Sequence, residues 1–335
     1  MNKQISTALK FLFFFSIGIL LIWLSVRHLT NEQIAQSQDA IHRADYTWII
    51  LSIAVGMLSH ISRAIRWKML MAPLGYSPKL SNAFFAVMVG YLANYAINRL
   101  GEVTRPGILT RYEKIPFAES FGTVIVERIV DTLCFFLLAV LVFFLQFNRL
   151  YDYLTGTFIP ALTETFSKYG MLLYILSASG LIALFILIIF RKRIFGMMSG
   201  KTKKTWDGFK EGVGAIKKLR SPWLFIFHSF FIWFIYYAML HICFLCLKET
   251  AGLGINCALT ALLFGTLSVI ITPGGLGAYP AAIMSILALY AVNNEIGLAV
   301  GWLVWLSQFV AVLFFGALSL ILLPIMNKEN DPLTS

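Results

Sequence analysis

The chain has 335 residues; 59% are hydrophobic, 13% are charged, and the formal charge is +11. A soluble domain would carry about twice that share of charged residues, and a mean hydropathy of +0.79 excludes one. Most of the positive charge falls between apolar runs, which is the orientation bias of a membrane protein rather than a nucleic-acid footprint.

Several apolar runs reach the roughly 17–25 residues that cross a bilayer as helix. Lys3 and Lys10 precede an apolar run from Phe11 to Trp23. No small-x-small cleavage site follows, so residues 9–26 read as a retained first span. A polar segment covers 27–45. Tyr46 and Trp48 then open a second span as interfacial aromatics, running to about Ser62. It ends in Arg63-Ala64-Ile65-Arg66-Trp67-Lys68. Two arginines three apart share a helix face. They read either as a charged stop at the water boundary or as a docking point for an anionic headgroup.

An apolar helix at 83–97 breaks into Asn98-Arg99-Leu100-Gly101-Glu102-Val103-Thr104-Arg105-Pro106-Gly107. The stretch 98–116 is too polar to span. The chain is therefore expected to dip in and return to the same side, as a re-entrant hairpin whose backbone must line protein or a wet cavity. A long span follows at about 118–146, then a polar and aromatic segment, and another span at 169–190. The loop 191–222 holds ten Lys and Arg residues. A span at 223–247 leads to an apolar segment, 255–272, that breaks at Thr272-Pro273-Gly274-Gly275-Leu276-Gly277. A short arm at 278–292 precedes a last span at 296–323.

If the N-terminus, 62–80, 99–116, 191–222 and the C-terminal tail are cytoplasmic, 21 of the 27 Lys and Arg residues lie on that side. The two broken regions also resemble each other. Ala83, Ala86, Gly90 and Leu92 match Ala258, Ala261, Gly265 and Leu267, and Leu100-Gly101 matches Leu276-Gly277. The charges place the two units, 46–146 and 223–323, in opposite orientation. Inverted repeats with paired discontinuous helices point to a transport site near the midplane. The predicted fold is thus an all-α polytopic membrane protein forming one transmembrane domain, with about six full spans plus two re-entrant hairpins. Eight full spans is the alternative.

Candidate site residues cluster at the breaks. Asn94, Asn98 and Arg99 mark the first, with Glu102 and Arg105 beyond it. Glu127 and Asp131 lie one turn apart on the next span, with Arg128 beside them. Unpaired charges at that depth cost several kcal/mol, so these groups are expected to pair with each other or with Arg99 and Arg105. The result is either a clamp on the hairpin or the polar lining of a headgroup pathway. At the second break, Pro273, Gly274, Gly275 and Gly277 offer bare backbone that an anion such as phosphate would suit; a tight turn without ligand is the simpler reading. Cys243-x-x-Cys246 inside a span, like Cys134 and Cys257, reads as small buried hydrophobes. No metal, nucleotide or nucleophile signature is present, so no cofactor is expected and no catalytic residue is assigned.

Arg63-x-x-Arg66-Trp67, Asn98-Arg99-Leu100-Gly101-Glu102 with Arg105, Glu127-Arg128-x-x-Asp131 and Pro273-Gly274-Gly275-Leu276-Gly277 resemble the lysylphosphatidylglycerol synthase transmembrane region. This is the flippase-like domain of the bacterial multiple peptide resistance factor. The resemblance covers nearly the whole chain. It implies a bacterial inner-membrane protein that moves a lipid between leaflets, with membrane lipids bearing an anionic headgroup as partners, no nucleic acid, and self-association into a homo-oligomer left open. The chain ends near the last span, so the aminoacyl-transfer domain of the resistance factor is not expected. Ala278-Tyr279-Pro280 stands where the family often has an acidic residue. Two other function classes remain: an intramembrane transferase on a lipid carrier with Asp131 or Glu127 as base, and an accessory membrane subunit.

Overall fold

The computed structural model describes residues 30–97, 99–147 and 200–327, with isolated positions between 151 and 167. The spans expected at 9–26 and 169–190 lie outside the described residues, as does Asn98. Two compact units are present: Met1–Val140 with Gly208–Ser335, and Leu141–Asp207. All that follows concerns the first.

The protein is an all-α polytopic membrane protein. Its described elements are α1 (Asn31–His42), α2 (Tyr46–Met71), α3 (Leu80–Ala96), α4 (Leu100–Glu113), α5 (Phe117–Leu145), α6 (Gly200–Gly214), α7 (Pro222–Phe244), α8 (Ile255–Ile271), α9 (Ala278–Ala288) and α10 (Asn294–Met326). Helices α2, α5, α7 and α10 are long and apolar enough to cross a membrane. At 1.5 Å per residue the 17-residue α3 and α8 reach only about 25 Å, the 14-residue α4 about 21 Å and the 11-residue α9 about 16 Å. The arms α4 and α9 fall well short of the roughly 30 Å hydrocarbon core, while α3 and α8 stand at the lower limit for a crossing. The short α4 and α9 fit the returning arms of two hairpins, α3–α4 and α8–α9, each followed by a long helix.

Local chemistry sets the boundaries. Asp45 accepts a hydrogen bond from the Thr47 amide at 2.9 Å and caps α2. The α2 helix carries the Arg63-to-Lys68 stretch on to Met71, nine residues past Ser62, and Arg63 and Arg66 lie buried within it rather than at an exposed boundary. The reason is a set of carboxylate partners on α5, which sequence spacing does not disclose. Between α3 and α4 the chain turns through Arg99, whose φ is 65°, and the Asn94 Oδ1 accepts the Gly101 amide proton at 2.7 Å. The basic loop at 191–222 contains a helix, α6, seated on α5 by two glycines. A Cβ on Gly122 would stand 2.5 Å from the Phe209 carbonyl oxygen, and one on Gly212 would overlap the Glu119 carbonyl. Small residues that admit close backbone approach are how membrane helices associate where the hydrophobic effect offers no drive.

The core beneath the first hairpin joins Ala64, Trp67 and Met71 of α2 to Ala83, Ala86 and Val87 of α3, Leu109 of α4 and Val124 of α5. The four cysteines are free and buried.

Candidate functional site

Asp131 is the central residue of α5, with fourteen residues of helix on either side, about 21 Å from each end. A network of ionised groups is built around it. The Arg63 Nη1 donates to Asp131 Oδ2 at 2.6 Å, and the Arg66 Nη2 to Asp131 Oδ1 at 2.7 Å. Arg66 also lies 3.4 Å from Glu127 Oε1, whose other oxygen accepts from Arg105 Nη2 at 2.7 Å. Arg128 approaches Asp131 from one turn away, at 3.4 Å. Arg66 and Glu127 are fully buried, Arg63 and Arg105 nearly so, and Arg128 is the open member, with 37% of its side chain exposed.

Three elements deliver these arginines. Arg63 and Arg66 share the α2 face that meets α5. Arg105 comes from the returning arm of the first hairpin. Its guanidinium lies 4.2 Å from the centre of the Trp67 ring, a cation–π contact. The same indole donates to Thr123 Oγ1 on α5 at 2.9 Å. Trp67 therefore fixes both the α5 backbone position and the plane of Arg105. From α7, Ser229 Oγ accepts from Arg66 at 3.1 Å and the Tyr236 hydroxyl accepts from Arg63 at 3.1 Å.

The network continues toward the second break. Tyr236 shares a 3.2 Å hydrogen bond with Tyr91 of α3. Tyr95, one turn along α3 on the same face, packs against Gly274, where a Cβ would stand 2.5 Å from its ring. The Trp305 indole of α10 donates to the Gly274 carbonyl at 2.8 Å. Gly274, Gly275 and Gly277 all have positive φ, of 61°, 74° and 71°. The turn that begins at Pro273 thus rests on the end of α3, next to the first break, and the two interruptions come together.

Of the residues singled out from sequence, Arg66, Arg105, Glu127, Arg128 and Asp131 form one cluster. Asn94 caps the first break rather than facing that cluster. Arg99 is exposed at the turn and Glu102 is half-buried in the first turn of α4; neither enters the network. Gly274 lies against Tyr95 and Trp305, and Gly275 and Gly277 are buried beside it. Sequence reasoning did not find Tyr91, Tyr236 or Ser229. The available signal was position: Tyr236 falls in the interior of a span, away from the ends where tyrosine acts as an interfacial anchor.

Both carboxylates are held by guanidiniums, and four guanidiniums share them. Such an arrangement can bind and orient an anion by charge-assisted hydrogen bonds.

A UPF0104 membrane protein of Methanocaldococcus jannaschii is 31% identical over 141 residues, which cover 40% of this chain and 41% of that protein. The chain thus spans less than half the length of that relative in the match. No solved structure matches. The lysylphosphatidylglycerol synthase TM region matches residues 8–316, and the chain belongs to that family.

Proposed function

We propose that this protein is a lipid translocase that moves an anionic phospholipid or lipid-linked headgroup between the leaflets of the bacterial inner membrane, with both termini cytoplasmic. The observation that carries the reading is the arginine–carboxylate cluster at the centre of α5. Charges at that depth are costly and mark pathways through the bilayer. Arginine is the residue suited to phosphate, because its planar fork binds two oxygens at once. The two hairpins add the second support. Interrupted helices that meet near mid-bilayer, in units of opposite orientation, are the arrangement of transporters that rock around a central site. A headgroup would pass from the Arg128 edge into the cluster and along the Tyr236–Tyr91 line, while its tails stay in lipid. No nucleotide signature is present, so movement would be passive or coupled to an ion gradient.

The test is protein reconstituted into vesicles with a fluorescent phospholipid in one leaflet, followed by quenching from outside. Protein-dependent loss of asymmetry for an anionic headgroup is expected. No acceleration for any anionic headgroup, by protein that remains folded, overturns the reading. A transferase would instead yield a new covalent product, and an accessory subunit would show neither product nor exchange.

A further inference from the structure

We infer that the central cluster is a receptor for a phosphate group carrying two negative charges, a phosphomonoester or diphosphate headgroup, in preference to a singly charged phosphodiester. This deepens the translocase reading and rests on it.

The argument is one of charge balance. Among the described residues, Arg63, Arg66, Arg105 and Arg128 face two carboxylates, Glu127 and Asp131, so four positive charges meet two negative ones and the surplus is +2. The neighbouring polar groups do not cancel it. Tyr91, Tyr236, Ser229 and Ser62 bring hydroxyls, and His60 and His228 can only add positive charge. His60 stacks on Tyr91, with ring centres 4.8 Å apart, and His228 shares a 2.8 Å hydrogen bond with Ser62.

Unused donors point the same way. A guanidinium carries five N–H groups. The Nε of each of the four arginines is buried and has no hydrogen-bond partner among the described residues. A buried donor left unsatisfied is costly, more so when charged. An incoming phosphate would offer both the missing acceptors and the missing charge. A phosphomonoester supplies close to two charges at neutral pH, its second pKa lying near about 6. A phosphodiester supplies one and leaves the cluster a charge short.

Arg128 is the arm that meets the ligand first. Asp131 already accepts from Arg63 and Arg66 at 2.6 and 2.7 Å, while Arg128 stands off at 3.4 Å and is the most exposed of the four. It sits beside Ile129, which is 52% exposed on the outer face of α5. Its guanidinium can turn from Asp131 to a phosphate without breaking a short ion pair.

The experiment compares retention by the full chain in detergent micelles of phosphatidic acid, phosphatidylglycerol and phosphatidylcholine, at mildly alkaline pH, with inorganic phosphate as competitor. Phosphatidic acid is expected to bind about tenfold or more tighter than phosphatidylglycerol, the discrimination of one further charge-assisted contact. Arg128→Gln should weaken retention of phosphatidic acid about tenfold or more and that of phosphatidylglycerol less, so that the preference is lost, and Arg128→Lys, which keeps the charge, should restore it. Equal retention of the two anionic lipids by the native chain overturns the inference and leaves the translocase reading standing if phosphatidylglycerol still exchanges between leaflets. Displacement of phosphatidic acid by an equal concentration of inorganic phosphate overturns the assignment to a lipid. Failure to bind or exchange any lipid by folded protein removes both readings.

Discussion

Arg105 reaches Glu127 across the bare backbone of Gly90. The Arg105 Nη2 lies 2.7 Å from Glu127 Oε2, and a Cβ on Gly90 would stand 2.6 Å from the Arg105 Cγ. The hairpin thus has no side chain at the point where the arginine stem must pass. Gly90 and Gly101 face each other, so the α3 and α4 backbones approach closely enough for the crossing. In the second hairpin the matching glycine, Gly265, is covered by the Tyr279 ring, which a Cβ would meet at 2.7 Å. The two halves share a small-residue contact, but only the first uses it to bring in a charge.

Gly90→Ala tests this relation. The added methyl must push the Arg105 stem aside, and overpacking of this kind costs about 1–3 kcal/mol. Thermal unfolding in detergent should fall, and lipid exchange should fall with it because Arg105 no longer reaches Glu127. Gly101→Ala should be worse, because its methyl would overlap the Gly90 carbonyl, a backbone atom that cannot turn away. Equal stability of Gly90→Ala and the native protein would mean that Arg105 finds another route.

Glu127→Gln should be among the most destabilising single changes in the chain. It leaves Arg105 without its ion-pair partner in a fully buried setting, and breaking one half of such a pair costs roughly 3–5 kcal/mol. Arg105→Met alone leaves Glu127 with Arg66 at 3.4 Å. The double variant Arg105→Met with Glu127→Gln should recover part of the loss, with a coupling of about 0.5–3 kcal/mol in a double-mutant cycle of unfolding. Strict additivity would show that the two side chains act independently.

Much of this arrangement was legible in the sequence. Apolar runs interrupted at Arg99 and at Pro273 placed the broken helices to within a few residues, and the four-residue spacing put Glu127 and Asp131 on one face. The readings that failed concern groups whose meaning depends on a partner far along the chain. Of the two readings of Arg63 and Arg66, the membrane-boundary stop gives way once Asp131, more than sixty positions later, is seen to receive both. Arg99 looked central because it sits among glycine and asparagine, yet its position in the turn exposes it. Tyr91 and Tyr236 were hidden because a tyrosine in an aromatic-rich span carries no spacing signal of its own.

Arg99 separates backbone from charge. Its φ of 65° is one that asparagine and glycine accept more readily than arginine. Arg99→Gly should therefore leave stability unchanged or raise it by up to about 1 kcal/mol. If Arg99 takes no part in transport, exchange rates measured in vesicles should stay within twofold of native. A loss of exchange without a loss of stability would show that the arginine meets the headgroup at the membrane surface before Arg128 does.

The second break should be sensitive in a different way. Gly274 has φ of 61°, lies against the Tyr95 ring, and gives its carbonyl to the Trp305 indole at 2.8 Å. Gly274→Ala confronts both the strained backbone and the ring, and should destabilise by about 1–3 kcal/mol. Trp305→Phe is the sharper test. It keeps an aromatic ring beside Tyr95 and Phe309 but removes the indole hydrogen bond from α10 to the Gly274 carbonyl. The stability cost should be about 1 kcal/mol. If the turn only closes a hairpin, exchange should track that small cost. If the two breaks must move together for a headgroup to pass, exchange should change several-fold at constant stability, because Trp305 holds the second break while Tyr95 transmits its position to the helix that carries Tyr91. Measuring unfolding and leaflet exchange on the same preparation distinguishes these outcomes. Unchanged exchange in Trp305→Phe would place the moving part within the first hairpin alone.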